Sequence, residues 1–392
     1  MERNQNAIVN RITEQMEKRN LDAILLTSGD AIFYATGFGV RKLYRAEPSG
    51  AAAAVVTKEG NVGLVISEFD RHAAESIVKG IQILSYPTWI FIADYTKPGE
   101  KKEPHPSPLK AYELALEFIP RRKNNFKLGV QSSSITHQAW VYLAEQFGEN
   151  NLVDAQDVLR EARVIKTPWE IETLRTAAHL DEIVMNKTAK AIVPGMTSAD
   201  VAQLFNKFAF ESSPDIISVS NAHTIGSDFT PYVTWPHHRI NYGDVIRLDG
   251  GGKYKGYNSD LARTFVVGKD TAKERENLYS KLWAGYEFAI SHIGPGVRFS
   301  DIFNGIHEVL NKLDFGLYIR GHQGHSIGCG FDGEEAPFIG PKENRVFEPG
   351  MVLNIEMPYY SSKNQTYNIE DTFLITENGI ELFTKASPSL YL

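Results

Sequence analysis

Apolar residues recur at helical spacing near the start of the chain: Ile8, Val9, Ile12 and Met16 share one face and predict an amphipathic first helix. Ala23 to Thr27 is instead a short, continuous apolar run and predicts a buried strand. Two further runs, Ala53 to Val56 and Val62 to Ile66, are separated by Lys58-Glu59-Gly60-Asn61 and predict a hairpin. Strands alternating with helices make this part of the chain an α/β domain. Lys97 to Pro108 is rich in Pro, Lys and Glu and reads as an exposed loop.

The pattern changes near residues 155–167. Thr167-Pro168-Trp169-Glu170 has the form of a helix start, with Thr167 as cap, Pro168 in the first turn and Glu170 closing a capping box. Ile171, Leu174 and Ala178 then line one face of a long helix. The chain is read accordingly as a first domain over 1–158 and a second over 159–392. Within the second, the stretch from Pro194-Gly195 to Asp200-Val201 resembles that from Pro295-Gly296 to Asp301-Ile302. Each is a Pro-Gly turn, a polar cap and a helix. A repeat of this kind predicts two related α+β halves about a pseudo-twofold axis, with a cleft between them.

Charge and cysteine usage narrow the function. A formal net charge of −7 with scattered Lys and Arg argues against nucleic-acid binding, which needs a basic surface. The single cysteine, Cys329, allows no internal disulfide and suits a small buried apolar role. No apolar run approaches the roughly 18 residues of a membrane span, and the first residues are polar. A cytoplasmic protein without a membrane partner is the expectation.

The candidate chemistry lies in the second half. Asp249 ends the strand-like run from Asp244 to Leu248, and Asp260 follows a triple glycine that reads as a tight turn with a return strand. A hairpin of that form brings the two carboxylates together. The triple glycine lacks the Gly-Lys-Ser/Thr ending of a phosphate-binding loop. Glu356 closes the apolar run from Met351, Glu370 lies in the run Ile369 to Ile375, and His325 lies in the glycine-flanked stretch Gly321 to Gly328. Four converging carboxylates repel one another and raise each other's pKa, whereas divalent cations turn that repulsion into attraction. An oxygen-rich set with one imidazole suits two ions of Mn, Fe, Co or Zn.

These residues resemble the creatinase/aminopeptidase family of "pita-bread" metallopeptidases, which includes Xaa-Pro aminopeptidase, prolidase and methionine aminopeptidase. Asp249 to Phe265 resembles the family's two-aspartate hairpin, and Gly324-His325-Ser326-Ile327-Gly328 its metal-histidine segment. Glu348 to Glu356 and Ile369-Glu370-Asp371-Thr372 resemble its two glutamate segments, and Ile32 to Phe38 a recurrent piece of its N-terminal domain. The resemblance implies an α/β creatinase-like N-terminal domain and a pita-bread catalytic domain. It implies that Asp249 binds one ion, that His325 and Glu356 bind the other, and that Asp260 and Glu370 bridge. Glu356 would take a proton from a metal-bridging water as an amide of the Xaa-Pro type is cleaved. The resemblance also implies a homodimer, in which the loop Arg41 to Arg45 would edge the partner's site, and a small-molecule or short-peptide substrate.

The sequence departs from the family pattern at substrate positions. The histidine expected ahead of the first aspartate falls on Tyr232, with His237 and His238 nearby. A second, beyond the metal histidine, falls on Asp332, and an arginine expected just before the last glutamate is Asn368. Tyr232, Trp235, Tyr359 and Asp332 are therefore the candidate substrate-binding residues, with Tyr360 and Tyr367 close in sequence. An aromatic cage beside Asp332, acting as general base or cation anchor, would suit a small cationic or zwitterionic compound. The alternative function is thus a lyase or ring-opening hydrolase, as in fold relatives acting on dimethylsulfoniopropionate or ectoine.

Overall fold

The computed structural model describes residues 2–39, 50–87, 107–120, 125–226, 239–316, 318–331, 333–361 and 365–391. These fall into two compact units, Glu2–Arg163 and Val164–Leu392. The loop Arg41 to Arg45, and all of the Lys97 to Pro108 segment except Ser107 and Pro108, lie outside the described residues.

The first unit begins with α1 (Gln5–Lys18), β1 (Ala23–Leu26) and α2 (Gly29–Thr36), followed by β2 (Ala53–Thr57) and β3 (Val62–Ser67). Next come α3 (Glu68–Ile77), β4 (Gln82–Tyr86), α4 (Lys110–Ala115) and β5 (Leu128–Val130), then α5 (His137–Phe147), β6 (Leu152–Asp154) and α6 (Gln156–Val164). The expected apolar stripe of α1 is buried as Ile8, Val9, Ile12 and Met16, and the Asn4 side chain caps the helix by accepting from the Ala7 amide. β2 and β3 form the antiparallel hairpin. The sheet order is β4-β3-β2-β1-β5-β6, with β1 parallel to β5 and antiparallel to β2.

The second unit opens on α7 (Pro168–Ala191) and α8 (Ser198–Ser212), then β7 (Ile216–Asn221), β8 (Thr224–Ile225), β9 (Val245–Tyr254), β10 (Tyr257–Asn258) and β11 (Leu261–Val266). α9 (Lys273–His292) and α10 (Phe299–Lys312) precede β12 (Gly324–Ile327), β13 (Glu334–Phe338) and β14 (Val352–Glu356). β15 (Tyr359–Ser361), β16 (Gln365–Tyr367), β17 (Glu370–Thr376) and β18 (Gly379–Leu382) complete it. The capping box of α7 forms as the sequence predicts: the Thr167 amide donates to Glu170 Oε2 at 2.7 Å, and the Glu170 amide to Thr167 Oγ1 at 3.4 Å.

The repeat is structural. Gly195 donates its amide to Ile240 O at 2.8 Å, and Gly296 donates to Phe347 O at the same distance. Thr197 bridges Arg239 just as Arg298 bridges Val346. Each half has its own apolar core, one formed by α7 and α8 against β9 and β11, the other by α9 and α10 against β14 and β17. The caps differ. Thr197 makes a capping box with Asp200, whereas Arg298, the N-cap of α10, makes no side-chain bond.

One expectation is corrected. Gly250, Gly251 and Gly252 form no turn; they continue β9, which pairs with β7 on one edge and β11 on the other. A Cβ on Gly251 would lie 1.9 Å from Ser259 O, and one on Gly250 2.4 Å from Ser220 O. The glycines are there for close backbone approach. The chain reverses instead at Lys255 and Gly256, both at positive φ.

Alternation along the strands separates core from site. Ile246, Leu248, Leu353 and Ile355 are fully buried in the apolar clusters. Arg247, Asp249, Asn354 and Glu356, interleaved with them, fall on the other face. A one-residue slip would exchange the two sets. Each Leu or Ile side chain contributes roughly 1.5–3 kcal/mol on burial, so the register that carries the polar residues is enforced by the helices behind them.

Candidate metal centre

The central sheet runs β10-β9-β11-β17-β14-β12-β13. Across it, Asp249 on β9 pairs with Ala262 on β11, and Ala262 pairs with Glu370 on β17. Glu356 on β14 stands opposite Glu370, and His325 on β12 opposite Asn354. Cross-strand partners share a face. Asp260, just ahead of β11, joins them: ligand atoms of Asp260, His325 and Glu370 all lie within 4.8 Å of one another. His325 Nε2 is 3.9 Å from Asp260 Oδ2 and 3.8 Å from Glu370 Oε1.

The outer carboxylates are clamped. Arg247, 1% exposed, donates from Nη1 to Asp249 Oδ2 at 2.7 Å and to the Tyr360 hydroxyl at 3.1 Å, and from Nη2 to Ala222 O. Asn368 Nδ2 adds a bond to Asp249 Oδ2 at 3.3 Å. Glu356 Oε1 accepts from Arg320 Nη2 at 3.0 Å and lies 3.3 Å from His322 Nδ1. His223 accepts the Asp249 amide at Nδ1, and burial followed by the neighbouring Arg247 pushes it down to about 3, so its ring is neutral.

Among the described residues, the inner pair has no such cation. Asp260 and Glu370 are both held well above the ordinary carboxylate range, first by burial, then Asp260 by Asp249 and Glu356, and Glu370 by Asp260, Glu356 and Asp249. Asp260 keeps 23% of its side-chain surface open, yet it is deep enough among protein atoms for burial to remain the leading cause. Among the described residues, Glu370 receives only neutral amides, from Asn354 Nδ2 at 2.8 Å and Asn368 Nδ2 at 3.4 Å. Asp371, one residue on and facing the helices, is fully provided for by Arg263, Tyr286, Thr384 and the Ala386 amide.

His325 Nδ1 lies 3.2 Å from Ser326 O, which can only accept. That partner places the proton on Nδ1 and turns the Nε2 lone pair towards two carboxylates. Acceptors alone converge there, as a divalent cation requires and as little else would tolerate. The donor set fits a metal.

Tyr232, Trp235 and Asp332 lie outside the described residues. Tyr359 packs edge-on against Phe315 and against the buried Tyr367, in the core of the second half. Among the described residues, Tyr360 meets the site, through Arg247. Arg247 and Asn354 escaped the sequence reading, although each lies two residues from a candidate ligand on the same strand face. Arg320 and His322 also escaped it, because the loop before β12 has no period to read. Cys329 is buried, as expected for a small apolar residue.

The family model for metallopeptidase family M24 matches residues 172–377, and that for the creatinase/prolidase N-terminal domain matches residues 9–165. The chain belongs to metallopeptidase family M24. An Xaa-Pro dipeptidase of Pyrococcus horikoshii is 25% identical over 98% of this chain and 99% of its own length. A probable dipeptidase PepE of Mycobacterium tuberculosis is 32% identical over 57% of this chain and 60% of its own. The solved prolidase of P. horikoshii superposes with a TM-score of 0.79 at 23% identity, covering 97% of this chain and 99% of that one. An Xaa-Pro dipeptidase of Bacillus anthracis gives 0.81 at 21%, covering 99% of each. At that identity the structures speak for the fold alone, the pita-bread fold with a creatinase-type N-terminal domain. This M24 chain is a metal-dependent hydrolase of the peptidase class. These relatives lend no support to the non-peptidase alternative. Among the described residues, no helix is long and apolar enough to cross a membrane.

Proposed function

We propose that this M24 chain hydrolyses Xaa-Pro dipeptides with two divalent ions. The observation that carries the reading is the convergence of Asp260, His325 and Glu370 without a cation of their own, flanked by Asp249 and Glu356. Asp249 would hold one ion, His325 and Glu356 the other, and Asp260 and Glu370 both. When bound, such ions polarise the scissile carbonyl and make water a nucleophile near neutral pH. Asn354 orients Glu370 and also donates to Asp260 O at 2.8 Å, so one amide fixes both shared ligands. Arg247 and Asn368 hold Asp249 in one rotamer. Glu356 is the proton acceptor: Arg320 donates to its Oε1 at 3.0 Å and holds the carboxylate that would take the proton from the attacking water and pass it to the leaving nitrogen.

The family resemblance further supports a homodimer, which light scattering would read, and the single cysteine supports a cytoplasmic setting. The deciding experiment pairs elemental analysis with Ala-Pro hydrolysis. About two ions per chain, with cleavage lost on chelation and restored by Mn²⁺, is the expected result. Protein that takes up no metal, or that is metal-loaded and leaves Ala-Pro intact, overturns the proposal.

A further inference from the structure

A tyrosine hydroxyl that accepts one hydrogen bond still has a proton with which to make another. We infer that Tyr360 donates that second bond to the carbonyl oxygen of the scissile amide, and that the bond strengthens as the oxygen gains negative charge. The proton stays on the phenol throughout. The inference rests on the peptidase reading above and adds a catalytic residue to it.

Strand period puts the side chain in place. β15 and β16 pair Tyr359 with Tyr367 and Tyr360 with Thr366. Tyr359 and Tyr367 pack together in the apolar core of the second half, so Tyr360 and Thr366 share the opposite face. There Thr366 meets Thr224, and Thr224 Oγ1 accepts from Arg247 Nε at 3.3 Å. Tyr360 is 41% exposed on that face, whereas Tyr367 is fully buried.

The phenolic oxygen is pinned. Arg247 Nη1 donates to it at 3.1 Å, and the guanidinium carbon lies 5.2 Å from the ring centroid. The same nitrogen holds Asp249 Oδ2 at 2.7 Å, while Ala222 O and Thr224 Oγ1 fix the rest of the guanidinium. A phenolic O–H lies near the ring plane in one of two orientations, and the one aimed at an N–H donor is closed. The hydrogen therefore points away from Arg247, and among the described residues no acceptor meets it. The charges that face the hydroxyl are Arg247, Asp249, Glu356 and Arg320, so both outer carboxylates and both of their guanidiniums lie near it. A donor held in advance needs no reorganisation as charge develops, and a guanidinium bonded to its oxygen polarises the O–H. The amides of Asn354 and Asn368 do not compete for this part, being committed to Asp260, Asp249 and Glu370.

The other role open to Tyr360 is only to steady Arg247, and the test separates the two. Wild type and Tyr360→Phe, which keeps the ring over the guanidinium, are loaded with Mn²⁺, checked for metal content and compared on Ala-Pro. In Tyr360→Phe, kcat should fall about 100-fold, with KM within roughly threefold of wild type and metal content unchanged. Calorimetric binding gives a readout free of turnover. A phosphinic analogue of Ala-Pro, tetrahedral and anionic at the reacting centre, should bind Tyr360→Phe roughly tenfold or more weakly than wild type, whereas L-proline should bind both alike. A fall in kcat of less than about tenfold, a loss of metal that accounts for the fall, or equal affinity of the two proteins for the phosphinate would each overturn the assignment while leaving the peptidase reading intact. Wild type that is metal-loaded yet leaves Ala-Pro uncleaved sinks both.

Discussion

Removing the divalent ions should give this protein a steep, downward pH dependence of stability. In the metal-free protein, Asp260 and Glu370 hold their protons more tightly than ordinary carboxylates do, because both are buried and face Asp249 and Glu356, and Glu370 faces Asp260 as well. Below about pH 4 these groups are protonated in folded and unfolded chains alike. Above it the unfolded chain releases its protons first. The folded state then binds more protons than the unfolded, and stability falls with rising pH until the raised folded values are passed. Within that window each group costs about 1.4 kcal/mol per pH unit, and the pair roughly twice that where the windows overlap. In a domain of this size 1 kcal/mol moves Tm by roughly 2–4 °C, so one pH unit should lower Tm by roughly 3–10 °C. Ion binding requires deprotonated ligands and expels those protons. Calorimetric melts at pH 5.5, 6.5 and 7.5, with chelator or with saturating Mn²⁺, should therefore diverge as pH rises. Titrations in buffers of different ionisation enthalpy should count protons leaving on binding. Parallel melting lines together with no proton release would refute the argument.

Three substitutions probe the framework around the ligands. Arg247→Met strips a 1%-exposed cation from Asp249 Oδ2 and Ala222 O; it should cost about 3–5 kcal/mol and weaken metal binding roughly 10–100-fold, and an unchanged urea midpoint would count against the clamp. Gly251→Ala drives a Cβ to 1.9 Å from Ser259 O. That should destabilise by about 1–3 kcal/mol and, by displacing the neighbouring Asp260, reduce bound metal; full metal content at wild-type stability would contradict the reading. Thr167→Ala removes the capping box of α7 and should cost about 1 kcal/mol in denaturant melts with metal content unchanged, which separates stability from site effects.

Much of the architecture was legible because it follows period and punctuation. The apolar stripe of α1, the β2–β3 hairpin and the Thr167 cap each have a local cause, and each stands where the pattern puts it. The five candidate ligands were legible for a related reason: each polar residue interrupts or ends a strand whose alternate positions must face a helix. The triple glycine misled because sequence shows a missing side chain without showing what occupies its place. A turn and a close strand crossing ask for the same residue, and only the position of Ser259 O separates them. The loop before β12 was silent altogether. Arg320 and His322 reach Glu356 through chain path, which no spacing rule encodes.

The arginine absent from position 368 shows how a departure in sequence can be made good in space. Asn368 meets Thr264 through paired bonds, its amide donating to Thr264 Oγ1 at 2.9 Å and its carbonyl accepting from the same hydroxyl at 2.7 Å. Thr264 in turn stands opposite Arg247 on β9. Asn368, just ahead of β17, therefore extends the Thr264–Arg247 pair of β11 and β9 into one row, adjoining the row of Glu370, Ala262 and Asp249. A guanidinium from either end of the first row can reach the second, and here it comes from the β9 end, 2.7 Å from Asp249 Oδ2. The smaller Asn368 fits beneath it and bonds to Asp249 and Glu370 together. Exchanging the two ends should therefore be tolerated better than losing the charge. Arg247→Asn combined with Asn368→Arg should retain more metal than Arg247→Asn alone, measured as ions per chain after dialysis. Equal loss in the double and single variants would show that the charge must enter from β9.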